Sequence, residues 1–152
     1  MLLLDIKNLT IELSTANGLI RAVDRVNLSL REGETRGLVG ESGSGKSLIA
    51  KAIVGVLNKR WQVNADRFSW RGTDILSLPY EQQRKIIGRD IAMIYQEPSR
   101  SLDPTAAILE QLEEAIPSHV LDGPWWKRAY LRRHKAIALL HKVGIRDHQT
   151  VL

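Results

Sequence analysis

The segment Gly40-Glu41-Ser42-Gly43-Ser44-Gly45-Lys46-Ser47 limits what this chain can fold into more than any other stretch. It satisfies G-x-x-x-x-G-K-[ST], the phosphate-binding P-loop pattern, at every fixed position. Those positions coincide by chance in roughly one chain of this length in a few hundred. Gly43 and Gly45 put no Cβ between the backbone and an oxyanion, so successive N–H groups can converge on a β-phosphate. A helix that begins at Lys46 adds the positive end of its dipole. Lys46 can reach the β- and γ-phosphates as a point charge, and the Ser47 hydroxyl is placed to ligate Mg²⁺. The competing reading is a glycine-rich turn with an incidental lysine.

The pattern needs a strand before it and a helix after it, and the flanks supply both. Residues 35–39 (TRGLV) form a short apolar run, and from Lys46 onward Leu48, Ile49, Ala52, Ile53, Val56 and Leu57 recur at helical spacing, with an end expected near Asn58-Lys59. Upstream, residues 2–13 alternate apolar and polar with a slip near Lys7-Asn8, which predicts a strand with a bulge. Asn17-Gly18 marks a turn, Ala22 to Leu30 alternates again, and Glu32-Gly33-Glu34 makes the next turn. Two antiparallel strands therefore come first. Downstream, residues 61–70 predict a strand and turn, Ser77 an N-cap with Pro79 in the first helical turn, and residues 91–95 (IAMIY) a buried strand.

Beyond Gln96-Glu97-Pro98 the character changes, with Pro98, Pro104, Pro117 and Pro124 dividing segments rich in leucine, glutamate and then arginine. A boundary is expected there, giving regions 1–98 and 99–152. Between Trp126 and Val143 a helix is predicted, with Trp126, Tyr130, Ile137, Leu140 and Val143 as its inward apolar stripe and Gly144 as its C-cap. Lys127, Arg128, Arg132, Arg133 and Lys135 lie opposite.

Composition removes several chemistries. The chain has no cysteine, which excludes disulfides, thiolate zinc sites and cysteine nucleophiles, and favours a reducing compartment. Met1-Leu2-Leu3-Leu4-Asp5 has no basic n-region and reads as no signal peptide. No stretch approaches the roughly 20 apolar residues of a membrane span. The net charge of +5 is concentrated at the C-terminal end, where residues 124–152 hold seven Lys and Arg against one acid. Such a patch is more often a solvated helix face than a nucleic-acid or lipid surface. His134 and His141 read as solvated rather than as metal ligands.

A P-loop alone does not separate kinases, GTPases, helicases and transport ATPases, so other motifs decide. The run from Val23-Asp24-Arg25-Val26-Asn27-Leu28 through Glu32-Gly33-Glu34 to the P-loop closely resembles the opening of the nucleotide-binding subunits of ABC transporters. Met93-Ile94-Tyr95-Gln96-Glu97-Pro98 with Ser101-Leu102-Asp103-Pro104 resembles the Q-loop of the peptide-importer branch. Trp70 to Leu78 fits its dipeptide/oligopeptide group, and Ala65-Asp66-Arg67-Phe68, Trp125-Trp126-Lys127-Arg128 and Leu139 to His148 are most similar to the Sap group of peptide-transport subunits.

The resemblance implies an α/β fold: a RecA-like P-loop NTPase core with an N-terminal antiparallel β subdomain and the start of a helical subdomain. It implies ATP and Mg²⁺ as cofactors, held by residues 40–48 (Gly40, Glu41, Ser42, Gly43, Ser44, Gly45, Lys46, Ser47 and Leu48), with Lys46 and Gln96 as catalytic residues and Ser47 and Gln96 on the metal. Gln96 would ligate Mg²⁺ or orient the attacking water, and a neutral amide suits that place beside a γ-phosphate. Implied partners are membrane permease subunits docking after Gln96 and a second ATP-binding subunit, with peptide not bound directly, at the cytoplasmic face of the inner membrane. Two departures stand out. Where the family stacks adenine on an aromatic, this chain has Thr15-Ala16-Asn17-Gly18-Leu19-Ile20, and Leu48 replaces a threonine whose hydroxyl meets the α-phosphate.

Residues 1–152 contain no LSGGQ-like signature, Walker B aspartate, glutamate base or switch histidine. The expectation is therefore that this polypeptide binds nucleotide without turning it over, and the rival to an energy-coupling subunit is a nucleotide-binding fragment. A nucleic-acid-associated P-loop protein, using the basic helix and Trp125-Trp126, is the least favoured reading.

Overall fold

Asn8 shows how the first strand keeps one face in the core. Leu4 and Ile6 point inward by strict alternation, yet so do Leu9 and Ile11, which requires one extra residue between the pairs. In a computed structural model, which describes residues 1–97 and 102–145, Asn8 takes a positive φ of 55° and the pairing with the next strand slips between Ile6 and Leu9. The Asn8 N–H donates to Asn27 Oδ1 at 2.8 Å, so the bulged amide is not left without a partner.

β1 (Leu2–Thr15) and β2 (Gly18–Arg31) form the expected antiparallel pair, turning at Gly18 with φ 113°. The 61–70 segment becomes two strands rather than one. β3 (Trp61–Asn64) pairs with residues 10–13 of β1, and β4 (Arg67–Trp70) pairs with residues 4–7. β5 (Thr73–Asp74) closes a hairpin on β4 through Arg71 and Gly72, both at positive φ. The sheet order is β2-β1-β4-β5, with β3 also on β1.

α1 (Lys46–Ile53) starts where expected and stops earlier. Gly55, at φ 67°, lets the Val56 N–H return to the Lys51 carbonyl (3.1 Å) and its own N–H to that of Ala52 (3.2 Å), a Schellman end. α2 (Tyr80–Asp90) begins after Pro79, not at Ser77, whose hydroxyl instead donates to the Asp74 carbonyl at 2.9 Å. Ile49 and Ala52 of α1, Ile87 of α2 and Ile75 pack onto the sheet face formed by Leu4, Ile6, Leu9, Ile11, Phe68 and Trp70.

Two expected strands are absent. Residues 35–39 and 91–95 carry no strand assignment and pair with nothing among the described residues. An apolar run becomes a strand only when another backbone accepts its ladder bonds.

The chain divides into two compact units, the second beginning at Ile94. In that second unit α3 (Ile108–Ala115) and α4 (Arg128–Lys142) are joined through single 3₁₀ turns at Ser118–Val120 and Trp125–Lys127. Leu109, Ile116, Leu121, Ala136 and Leu140 form its core, with Leu131 and Ile137 at the margin. The stripe expected on α4 is therefore wrong at three of its five positions: Ile137 and Leu140 do face inward, but Trp126, Tyr130 and Val143 are exposed. The fully buried Ala136 sets the true inward face, because its small side chain lets α4 approach its neighbours closely. Gly144, at φ 91°, ends α4 as expected, with the Ile145 N–H on the Leu140 carbonyl at 2.9 Å.

Candidate functional site

Between the end of β2 and the start of α1 the backbone forms a loop with no ladder of its own, and its hydrogen bonds are local. The Ser44 N–H donates to the Glu41 carbonyl at 3.2 Å, closing a turn around Gly43. Gly43 and Gly45 sit at φ 82° and 90°, where a side chain costs about 1–2 kcal/mol. Gly40 is constrained differently: a Cβ there would lie 2.8 Å from Ser44 Oγ. Glycine at this position lets the two arms of the loop close on each other.

Lys46 is folded back across its own loop. Its Nζ donates to the carbonyls of Gly40 (2.8 Å) and Glu41 (2.6 Å) and lies 3.2 Å from Ser44 Oγ. The ammonium thus caps the concave side and brings a positive charge to the mouth of the loop. α1 begins with no side-chain cap and no acid in its first turn, so the N–H groups of its first turn have no side-chain acceptor. Ser47 is exposed, and the Leu48 side chain packs against the core, leaving only its backbone facing the loop. A cradle of this kind, with Gly43 open to solvent, a lysine across the mouth and uncapped N–H groups, fits the phosphate tail of a nucleotide.

The site residues divide between the units. Gly40 to Leu48 belong to the first unit, whereas Gln96 lies exposed in a bend near the start of the second. The geometry of the cradle is therefore that of the loop and α1. Leu19 and Ile20, at the tip of the β1–β2 hairpin, are both more than half exposed. Among the described residues, no cluster of three or more His, Cys, Asp or Glu could hold a metal, and no helix is long and apolar enough to cross a membrane. The His134 ring lies 5.8 Å from that of Tyr130, a ring contact on the α4 surface.

The family model described as ABC transporter matches residues 23–152, from the second strand through the P-loop and on to Leu152. The chain belongs to the ABC transporter family. Among curated relatives, the peptide transport system ATP-binding protein SapD of Salmonella typhimurium is 52% identical over all 152 residues, which cover 46% of that relative. SapD of Haemophilus influenzae is 49% identical over the whole chain and 44% of its own length. The dipeptide transport ATP-binding protein DppD of Escherichia coli is 37% identical over 97% of the chain and 43% of the relative. The chain spans less than half the length of the relatives it matches.

One contact at the site was not legible in the sequence. Gly45 rests on Ala22 and Val23 of β2, with Cβ-equivalent distances of 3.2 Å to the Ala22 carbonyl and 2.9 Å to Val23 Cγ2. The sequence trace is the adjacent pair Ala22-Val23, which breaks the alternation of the strand.

Proposed function

We propose that the chain is the nucleotide-binding end of an ATP-driven peptide transport subunit. The observation that carries this reading is the Lys46 ammonium bonded to the Gly40 and Glu41 carbonyls, which shapes an anion cradle before any ligand arrives, in a chain of this family. In that reading the backbone N–H groups of Gly43 and of residues 45–48 hold the β-phosphate, and Lys46 neutralises the β- and γ-phosphates. Ser47, joined by the amide oxygen of Gln96, would hold Mg²⁺, which when bound offsets charge between those phosphates. Leu19 or Ile20 offers an apolar shelf for the base in place of an aromatic, so preference for adenine over guanine is expected to be weak.

Hydrolysis, peptide transport, docking of permease subunits after Gln96, pairing with a second ATP-binding subunit and residence on the cytoplasmic face of the inner membrane belong to the same proposal. They rest on likeness to SapD and DppD. A second reading, nucleotide binding without turnover by these 152 residues, is favoured by the two apolar runs that find no ladder partner among the described residues. Sustained phosphate release above a Lys46→Ala control would exclude it.

The test of the main reading is calorimetric titration with Mg·ATP. Lys46→Ala is expected to abolish detectable binding while far-UV circular dichroism stays unchanged, and equal affinity in both chains would overturn the assignment.

A further inference from the structure

Gly43 and Gly45 share a left-handed backbone, but their surroundings differ. A Cβ on Gly43 would meet nothing within 4 Å, whereas on Gly45 it would meet Val23 Cγ2 at 2.9 Å and the Ala22 carbonyl at 3.2 Å. The wall beneath Gly45 is a defect in the β1–β2 ladder. Ile11 pairs with Val23 and Glu12 with Arg21, so Ala22 has no partner across from it. Such a bulge turns one carbonyl and one side chain out of the regular pleat. Here they are aimed at the loop. Val23 is buried and β-branched, so its Cγ2 has little rotameric freedom and makes a fixed stop.

We propose that the Ala22–Val23 bulge positions the phosphate loop, with Val23 setting how deeply Gly45 sits without touching the ligand itself. The inference rests on the nucleotide-binding reading and extends it. Gly45 controls the start of α1 in two ways. Its carbonyl accepts the Ile49 N–H at 2.9 Å, which fixes the first turn of the helix, and it directly precedes Lys46. If the stop is shortened, Gly45 sinks toward the sheet and carries the start of α1 and the root of Lys46 with it. A displacement near 1 Å at a positioned group can cost about a hundredfold. The contact lies within the first unit and joins residues of one sheet to one loop.

A double-mutant cycle separates positioning from mere stability. Mg·ATP affinity would be measured by calorimetry for wild type, Val23→Ala, Gly45→Ala and the double variant, at a temperature where circular dichroism shows each chain folded. Val23→Ala is expected to bind about tenfold more weakly, and Val23→Ile, which keeps Cγ2, to bind within about twofold of wild type whatever its thermal midpoint. Gly45→Ala alone is expected to lose roughly a hundredfold or more, from strain and collision together. Adding Val23→Ala is expected to restore about tenfold of that loss, because the 2.9 Å collision is gone while the backbone strain remains.

Strictly additive losses, or a folded Val23→Ala chain with wild-type affinity, would overturn the proposal. A wild-type chain that binds no Mg·ATP breaks the nucleotide reading instead. The bulge is then judged by amide exchange at Ile49 in ligand-free protein: about tenfold faster in Val23→Ala supports it, and an unchanged rate sinks it.

Discussion

β1 is hydrogen-bonded along both edges, to β2 on one side and to β3 and β4 on the other, and its Leu9 and Ile11 are fully buried. Residues 35–39 and 91–95 also carry apolar side chains, among them Leu38, Val39 and Ile91, yet among the described residues they have no ladder, and Val39 stands 95% exposed. Leu38 from one run and Ile91 from the other help line an open apolar cavity of about 280 Å³, with Leu4, Leu30, Ile49 and Trp70 on its other walls. One half of the core is therefore closed by the chain itself and the other is left open. The sheet that closes is antiparallel: β1 and β2 form a hairpin, and β3 and β4 return to the other edge of β1 from beyond α1. Continuous apolar runs flanking helices are the mark of parallel strands buried on both faces, and these require neighbours brought from across a helical crossover.

Amide hydrogen exchange is the sharpest way to break this contrast. Amides of β1 at Leu9 and Ile11 are expected to exchange only through global opening, while those of Leu38 and Val39 exchange from the native state. A separation of roughly a thousandfold or more follows from ordinary domain stability. Equal protection in the two places would mean that residues 35–39 have a partner and that the contrast is false.

Truncating side chains tests the same point energetically. Leu9→Ala leaves a cavity under the sheet and is expected to cost about 2–5 kcal/mol in urea unfolding. Val39→Ala removes methyl groups that already face water and is expected to change stability by less than about 0.5 kcal/mol. A loss above about 1 kcal/mol for Val39→Ala would show that its exposure is not the working state of the chain.

These regions also show which parts of the molecule could be read in advance. The P-loop, the Asn17-Gly18 hairpin and the bulge at Asn8 depend on neighbours within a few residues, and each was legible. So was the helical spacing from Lys46. Its early end at Gly55 was not, because Val56 and Leu57 continue the apolar period past a glycine that terminates the backbone pattern. On α4 the period was visible but the covered face was not: Trp126 and Tyr130 are large enough to look like core, while Ala136 is what packs. Trp125 and Trp126 lie edge-to-face at 86°, a pair more than half exposed rather than a buried stripe. Contacts between distant segments, Val23 with Gly45 and Trp70 with Asp90, leave no periodic trace at all. They are also what fixes the site, so the phosphate loop could be recognised from its own residues while the surface it rests on could not.

The Trp70 contact links the closed side to the open one. Its indole Nε1 donates to Asp90 Oδ2 at 3.0 Å, at the C-terminal end of α2 just before the 91–95 run. A carboxylate there opposes the helix dipole, so the indole offsets an unfavourable placement. Trp70→Phe keeps most of the apolar contact and removes the donor, with an expected cost of about 0.5–1.5 kcal/mol. Faster exchange of the Ile91 amide, which bonds the Ile87 carbonyl at 2.8 Å, would show that the link holds the last turn of α2. An unchanged Ile91 rate would mean the open run is anchored elsewhere.

The smallest expected effect lies where the sheet hands over to the open run. Glu34 accepts the Arg31 N–H at 2.8 Å and pairs with Arg36 at 2.6 Å, closing the turn after β2. The Arg31 N–H first, and the Arg36 guanidinium second, hold its carboxyl below the usual glutamate value. Because the folded form binds its proton less readily than the unfolded form, this contribution is fully present above the ordinary glutamate pKa of about 4.3 and is lost as pH falls through the lowered folded value. Salt weakens the exposed Arg36 pair more than the backbone bond. Glu34→Gln is therefore expected to flatten the acid limb of the stability profile by lowering the plateau near neutral pH slightly, while stability at acid pH, where Glu34 is protonated, stays almost unchanged. Asp103 in the second unit, held low by the Thr105 hydroxyl and then by its N–H, retains its own acid dependence in that variant. If the slope survives at the Arg31 amide, followed by its chemical shift through the titration, the turn is held by the backbone alone and Glu34 is not the clasp between the closed sheet and the open run.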